Sequence, residues 1–289
     1  MYISENSKVV VQGITGAQGS FHTKLMKEYG TKIVAGVTPK KGGQVLNGIP
    51  VFDTIQEAKD ATGCDTSIVF VPARFTYVAV REAIKAQIHM TCIITENVPV
   101  FDMLRLVELA NKEDVHLIGP NCPGILIPDK IKLGIMPDDM CHYGDVAIIS
   151  KSGTLSYEIT KAIGNAGIGV SAYIGIGGDS IRGTTMVEAA QYYNEDPKTK
   201  VIVLIGEIGG SEEEETAAFL KSFGKKPVVG YIAGKSAPKG KRMGHAGAII
   251  SGDVGTAEGK IKAFKDAGVH IAETPWDVPH IILKIREEL

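Results

Sequence analysis

The stretch Val9-Val-Val-Gln12-Gly13-Ile-Thr15-Gly16-Ala17-Gln18-Gly19 decides the fold. Three consecutive valines make a short apolar strand, Val9–Gln12, and Gly13 breaks it. Glycines at 13, 16 and 19 allow a sharp turn and let a phosphate chain approach the backbone amides at the start of the next helix. That helix is expected around Ser20–Tyr29. Strand, glycine turn and helix in this order open a βαβ unit, and a βαβ unit implies a parallel sheet.

The alternation continues outward from this turn. Lys32–Val37, Ser67–Val71, Thr91–Thr95 and Val115–Ile118 read as further strands with helical stretches between them. Their near-continuous apolar character suits a sheet covered on both faces. Gly119 to Gly144 breaks the rhythm with Pro120, Pro123, Pro128 and Pro137 and is expected to be an irregular connection. Strands then follow at Asp145–Ser150, Gly169–Ile174, Val201–Ile205 and Pro227–Ile232, with helices from Gly153 and over Glu212–Phe223, Ala257–Ala267 and Val278–Glu288. The fold class is therefore α/β, with two doubly wound domains of parallel strands, residues 1–122 and 123–289. A chain of 289 residues is long for one core and fits two.

The totals exclude several classes. Thirty-one basic and 33 acidic residues leave a net charge of -2, so no overall field favours nucleic acid or a membrane surface. No apolar run is long enough to span a bilayer, and MYISENSKVVVQG lacks the basic-then-apolar pattern of a secretory signal. Cys64, Cys92, Cys122 and Cys141 form no CxxC pair and have no metal-ligand spacing. They read as reduced thiols of a cytoplasm or organelle matrix, and no metal site is expected.

Two sites are legible in the residues. The first is the turn already quoted. Its spacing is GxxGxxG, not the dinucleotide fingerprint GxGxxG, and a plain βα turn with useful glycines is the alternative. At the end of the second strand an NAD site needs a carboxylate for the ribose. Here stands Thr38-Pro-Lys40-Lys41-Gly-Gly43, which suits a phosphorylated ribose such as that of NADP or coenzyme A, or else forms a solvated basic loop.

The second site gathers three segments. Ser150-Lys151-Ser152-Gly153-Thr154 lies at a strand-to-helix junction and offers hydroxyls and amides to an anion, beyond the single hydroxyl that ordinary N-capping uses. Glu207 ends a buried apolar strand, where a carboxylate is costly unless paired; a histidine is a natural partner. His245 sits in Gly240–Gly252, a loop of glycines and alanines with Lys239, Lys241 and Arg242 beside it. So presented, it is open to close approach by an anion and suited to carrying a phosphoryl group, though a surface histidine in a turn has the same neighbours. Beyond the carboxyl ends of the strands these segments converge. Ser211 with Glu214 three residues on reads as a capping box, so Glu212–Glu215 read as a helix start. Gly230–Ser236 has the wrong glycine spacing for a P-loop, and Cys122, with no identifiable base beside it, reads as structural.

Five motifs, GKRMGHAGAII (240–250), IGEIGGSEEEE (205–215), GPNCPG (119–124), SGTLSYE (152–158) and KIVAGVTP with KGG (32–43), together resemble the α subunits of succinyl-CoA synthetase, or succinate–CoA ligase, along essentially the whole chain. The resemblance implies a Rossmann-like CoA-binding domain followed by a flavodoxin-like domain. It implies that His245 is phosphorylated and held by Glu207. It places CoA on Thr15, Gly16, Ala17, Gln18 and Lys41, and on Ile94, Thr95 and Glu96. Tyr157 matches the substrate-binding tyrosine, and Ser152, Gly153 and Thr154 match the phosphate-binding helix start. It further implies a β subunit of ATP-grasp fold that binds the Mg-nucleotide, in an αβ or (αβ)₂ complex, with succinate, CoA and phosphate as small-molecule substrates.

The chain departs from the family pattern at Lys40, Lys151, Ser180 and the run Pro72-Ala-Arg74-Phe75, around the CoA and acyl sites. A related acyl-CoA ligase subunit such as that for malate is the alternative within the superfamily. An NADP-dependent oxidoreductase or a CoA-sensing module are the alternatives outside it.

Overall fold

Val9, Val10 and Val11 are fully buried, as a strand covered on both faces requires. They belong to a computed structural model that describes residues 3–238, 240–251 and 254–288; Lys239 and Gly252 of the histidine loop lie outside the described residues. The chain forms two compact units. The first takes the chain up to Leu126 with Lys130–Met136 and Ile181–Thr184, and the second takes Ile127–Asp129, Pro137–Ser180 and the chain from Thr185.

In the first unit the elements are β1 (Val9–Gln12), α1 (Ala17–Glu28), β2 (Ile33–Val37), β3 (Val45–Leu46), β4 (Ile49–Phe52), α2 (Ile55–Thr62), β5 (Thr66–Val69), α3 (Ala73–Lys85), β6 (Met90–Ile93), α4 (Val100–Lys112) and β7 (His116–Ile118). The sheet order is β3-β4-β2-β1-β5-β6-β7. Every pair is parallel except β3 with β4, so the sheet is mixed at one edge and not wholly parallel as expected. The chain winds from β1 to one edge, returns, and winds to the other from β5. That is the dinucleotide-fold order, with its switch point between β1 and β5. Two apolar clusters fill the space between sheet and helices, one around Val69, Ile84, Ile93 and Leu106 and one around Val10, Ala35, Ile55 and Ile88.

The region from Gly119 to Gly144 is more regular than its prolines suggested. It holds β8 (Gly124–Ile127) and β9 (Ile131–Gly134), both fully buried. The segments Gly124–Ile127 and Ile131–Gly134 are each four residues long, which is enough for a strand.

In the second unit follow β10 (Tyr143–Ser150), α5 (Gly153–Asn165), β11 (Val170–Gly175), α6 (Met186–Glu195), β12 (Val201–Glu207), α7 (Glu212–Phe223), β13 (Val228–Ala233), α8 (Ala257–Asp266), β14 (His270–Ile271) and α9 (Asp277–Glu288). The order β14-β13-β12-β10-β11 is parallel throughout. It is the flavodoxin order, with its switch point between β10 and β12. The capping box expected at Ser211 does not form: its hydroxyl donates to Glu215 at 2.6 Å. Ser211 stands at the N-cap position but with φ -123° and ψ 3°, outside the extended backbone that a capping side chain needs. A complete box closes α6 instead, between Thr185 and Glu188.

The glycine turn explains itself in this frame. A Cβ at Gly19 would lie 2.2 Å from the Gly13 carbonyl oxygen, a backbone atom fixed by the end of β1. Gly19→Ala is expected to destabilise the chain by about 2 kcal/mol through this overpacking, read as a lower urea midpoint with an unchanged slope. An unchanged midpoint would show that α1 can lift from the sheet freely.

Candidate active site

The two switch points carry different surfaces. At the first, a cavity of ≈ 490 Å³ is lined from the ends of three neighbouring strands, by Gln12, Gly13 and Thr15 after β1, Val37 and Thr38 after β2, and Phe70 and Val71 after β5. Gly16, also in the lining, is the N-cap of α1 and supplies no capping side chain, so the first-turn amides of α1 have no side-chain acceptor there. Such an end attracts a phosphate, while Phe70, Phe75 and Pro72 give apolar walls suited to a purine.

Of the residues assigned to CoA by resemblance, Thr15 and Gly16 line this cavity, and Ala17 and Gln18 begin α1 beside it. The Thr15 hydroxyl meets that of Thr38 at 3.2 Å. Lys41 is exposed in the loop after β2, outside the cavity lining, and Lys40 before it has φ 65°. That left-handed conformation favours glycine. Ile94, Thr95 and Glu96 follow β6, one strand further on; they too stand outside the lining, with Thr95 donating to the Val71 carbonyl at 2.8 Å.

At the second switch point the ends of β10 and β12 are adjacent. Glu207 closes β12, and His245 reaches it: Nδ1 lies 2.9 Å from Oε1 and 2.7 Å from Oε2. A carboxylate only accepts, so Nδ1 carries the proton and donates; in the neutral ring this leaves the lone pair on Nε2. The histidine side chain is 27% exposed and the carboxylate 11%, so the pair is sheltered on the glutamate side and approachable on the histidine side.

Small residues are what permit this approach. A Cβ at Gly178 would lie 2.4 Å from Cγ and 2.5 Å from Nδ1 of His245, and the Gly178 carbonyl accepts the Gly247 amide at 3.3 Å. Lys241 and Arg242 are exposed in the same loop.

The helix start at α5 is partly accounted for by capping. Ser152 is its N-cap and accepts the Leu155 amide at 3.4 Å. The Ser150 hydroxyl accepts the Ser152 amide and donates to its carbonyl. What remains for an anion is the first turn, with Gly153 half-buried and Thr154 exposed. Tyr157, on the next part of that turn, is half-buried.

The acidic run that reads as a helix start holds more than that. Glu213 is fully buried and Glu212 nearly so. Lys151 Nζ sits 2.8 Å from Glu213 and 3.1 Å from Glu212, and the buried Lys260 pairs with Glu213 as well. Burial works against the charge of Glu213, yet Lys151 and Lys260 outweigh it and hold the carboxyl below its usual range.

Cys122 is structural, donating to the Ile93 carbonyl at 3.3 Å with its sulfur 3.8 Å from that of Cys92. The Cys92 thiol is held well above its ordinary range by its bond to Cys122 and by burial, and burial with Asp129 pushes Cys141 up to about 12. Neither is poised as a nucleophile. Among the described residues no group of three His, Cys, Asp or Glu is placed to hold a metal ion.

Gly178→Ala is expected to push the imidazole about 1 Å off the carboxylate, because the added methyl would lie 2.4 Å from Cγ, 2.5 Å from Nδ1 and 2.7 Å from Cδ2 of the ring. Proton NMR reads this as loss of the low-field imidazole N–H resonance of the wild type. Its persistence would mean that the loop yields without disturbing the pair.

A family model described as a CoA binding domain matches residues 4–97, and one described as CoA-ligase matches residues 149–270. The α subunit of the ADP-forming succinate–CoA ligase of Staphylococcus aureus is 49% identical over 288 residues, covering 100% of this chain and 95% of that one. The corresponding Staphylococcus epidermidis subunit is 50% identical over 278 residues, covering 96% and 92%. Among solved structures, an ATP citrate lyase of Methanosaeta concilii in complex with (3S)-citryl-CoA superposes with a TM-score of 0.90 at 25% identity. It matches all of this chain, which spans 51% of the lyase chain. Neither the oxidoreductase nor the CoA-sensing reading, nor another acyl-CoA ligase, is favoured by these likenesses. The chain belongs to the succinate–CoA ligase α subunits, a family of CoA-ligases that joins a CoA-binding domain to a ligase domain.

Proposed function

We propose that His245 is the phosphoryl carrier of a reversible succinate–CoA ligase. The observation that carries this reading is the Nδ1–Glu207 hydrogen bond, which fixes the tautomer that makes Nε2 a nucleophile. Inorganic phosphate attacks the thioester carbonyl of succinyl-CoA; the C–S bond breaks, CoA leaves as its thiol, and succinyl phosphate forms. Nε2 of His245 then attacks phosphorus, and the P–O bond to the acyl group breaks with release of succinate. The ring gains positive charge as the N–P bond forms, and Glu207 stabilises it through Nδ1–H. The phosphoryl group passes next to ADP or GDP. Two easier displacements replace one difficult transfer.

In this reading residues 1–122 bind CoA and residues 123–289 carry the phosphohistidine loop. The glycine-turn cavity takes the adenine nucleotide of CoA, with Ala17 and Gln18 at its phosphates and Lys41, Ile94, Thr95 and Glu96 at its margins. Ser152, Gly153, Thr154 and Tyr157 receive phosphate and succinate at the start of α5. The Mg-nucleotide binds to a β subunit of ATP-grasp fold in an αβ or (αβ)₂ complex, working in the cytoplasm. Among the described residues no helix is long and apolar enough to cross a membrane.

The test is the complex purified with its partner and handled at alkaline pH. Incubation with labelled NTP should leave an acid-labile phosphate on His245, absent in His245→Asn. Glu207→Gln should lower kcat by about 10,000-fold, as amide replacement of a tautomer-fixing carboxylate does. Phosphate retained by His245→Asn would overturn the assignment.

A further inference from the structure

Glu213 has a bond that its two lysines do not explain. Its Oε1 accepts the backbone amide of Glu207 at 3.1 Å, and the same oxygen lies 2.8 Å from Lys151 Nζ. Its other oxygen pairs with Lys260. Lys260 donates onward to the Gly210 carbonyl at 3.1 Å and to Glu214 at 3.0 Å. Lys151 reaches Glu212, whose other oxygen accepts the Met186 amide at 2.7 Å. The array therefore grips the turn after β12 at both ends, by the amide of Glu207 and the carbonyl of Gly210.

An ion cluster this buried is a poor way to gain stability. The desolvation of each charge largely cancels the attraction, and apolar side chains of similar volume do as well. What an apolar cluster cannot do is aim a charged acceptor at one particular amide. Lys151 also sits one residue before Ser152, the N-cap of α5, so the same array joins the ends of β10 and β12.

We propose that Glu213, clamped between Lys151 and Lys260, is a positioning residue that holds Glu207 in register with Nδ1 of His245. The proposal rests on the reading of His245 as phosphoryl carrier. Glu213 makes no contact with the imidazole; it acts through the backbone of Glu207. Removing its charge frees the residue whose carboxylate fixes the histidine tautomer.

The experiment uses the enzyme complexed with its partner subunit. Glu213→Gln alone leaves two buried lysines short of a counter-charge, so the informative variant is Glu213→Gln with Lys260→Met, which keeps the charge balanced. A neutral amide oxygen there accepts from Lys151 and from the Glu207 amide more weakly than the carboxylate does, so the clamp on Glu207 loosens. The double variant is expected to melt close to wild type while kcat, and the rate of His245 phosphorylation followed by phosphorus NMR, fall about 100-fold, the loss that a displacement of about 1 Å produces. KM for CoA and for succinate should stay within about twofold. Val201→Ala, a cavity at the opposite end of β12, should lower the melting temperature and keep kcat.

Wild-type kcat in the double variant would overturn the positioning role, as would a kcat that falls in step with stability across all three variants. Wild-type enzyme lacking phosphate on His245 would overturn the carrier reading, and Glu213's role with it. Wild type phosphorylated and the double variant phosphorylated equally fast would remove the role of Glu213 alone.

Discussion

Everything at the second switch point depends on one hydrogen bond, from Nδ1 of His245 to the carboxylate of Glu207. A carboxylate at the end of a buried strand demands a partner, because leaving it unpaired would cost several kcal/mol. A histidine in a glycine-rich loop needs an orientation, and this bond supplies one. Each supplies what the other lacks. The bond assigns the proton to Nδ1, and the imidazole side chain is 27% exposed against 11% for the carboxylate. Gly178 is the steric condition, since any Cβ there would occupy the position of the ring.

Parallel topology places the parts. In each unit the strand order reverses once, and at that reversal neighbouring helices depart to opposite faces, opening a crevice beyond the carboxyl ends. The β1–β5 crevice holds an apolar cavity beside a helix start without a capping side chain, which fits an adenine nucleotide and its phosphates. The β10–β12 crevice is polar, with a capped helix on one side and Glu207 on the other. The same architecture thus makes a binding cavity in one unit and a reactive pair in the other. The difference lies in what the strand ends carry: glycine and threonine in the first, glutamate and lysine in the second.

Most of this frame was legible in the residues, for physical reasons. Apolar strands buried on both faces announce themselves, so β1, β2, β12 and α7 fall where the pattern put them, to within a residue or two. Glu207 was legible as a carboxylate needing a partner, and the glycines around His245 marked the partner. Less visible was anything set by tertiary contact. The β3–β4 hairpin is short and half-exposed, and β8 and β9 hide between prolines. The run Glu212–Glu215 reads only as a helix start because charge pattern alone does not show burial. A signal was present: Glu213, Ala217 and Leu220 share the buried stripe of α7 at helical spacing, and Lys260 shares one with Phe264 on α8. A charged residue on each of two apolar stripes is a hint that they meet.

The central claim is that Glu207 commits Nδ1 to donation and reserves Nε2 for phosphorus. The most direct measurement is the site of attachment on the ring, read by phosphorus–nitrogen coupling in enzyme labelled at its histidine nitrogens and phosphorylated without denaturation. The account predicts a single species bonded through Nε2. Phosphorus bonded to Nδ1 would contradict it, because that nitrogen could no longer donate to Glu207.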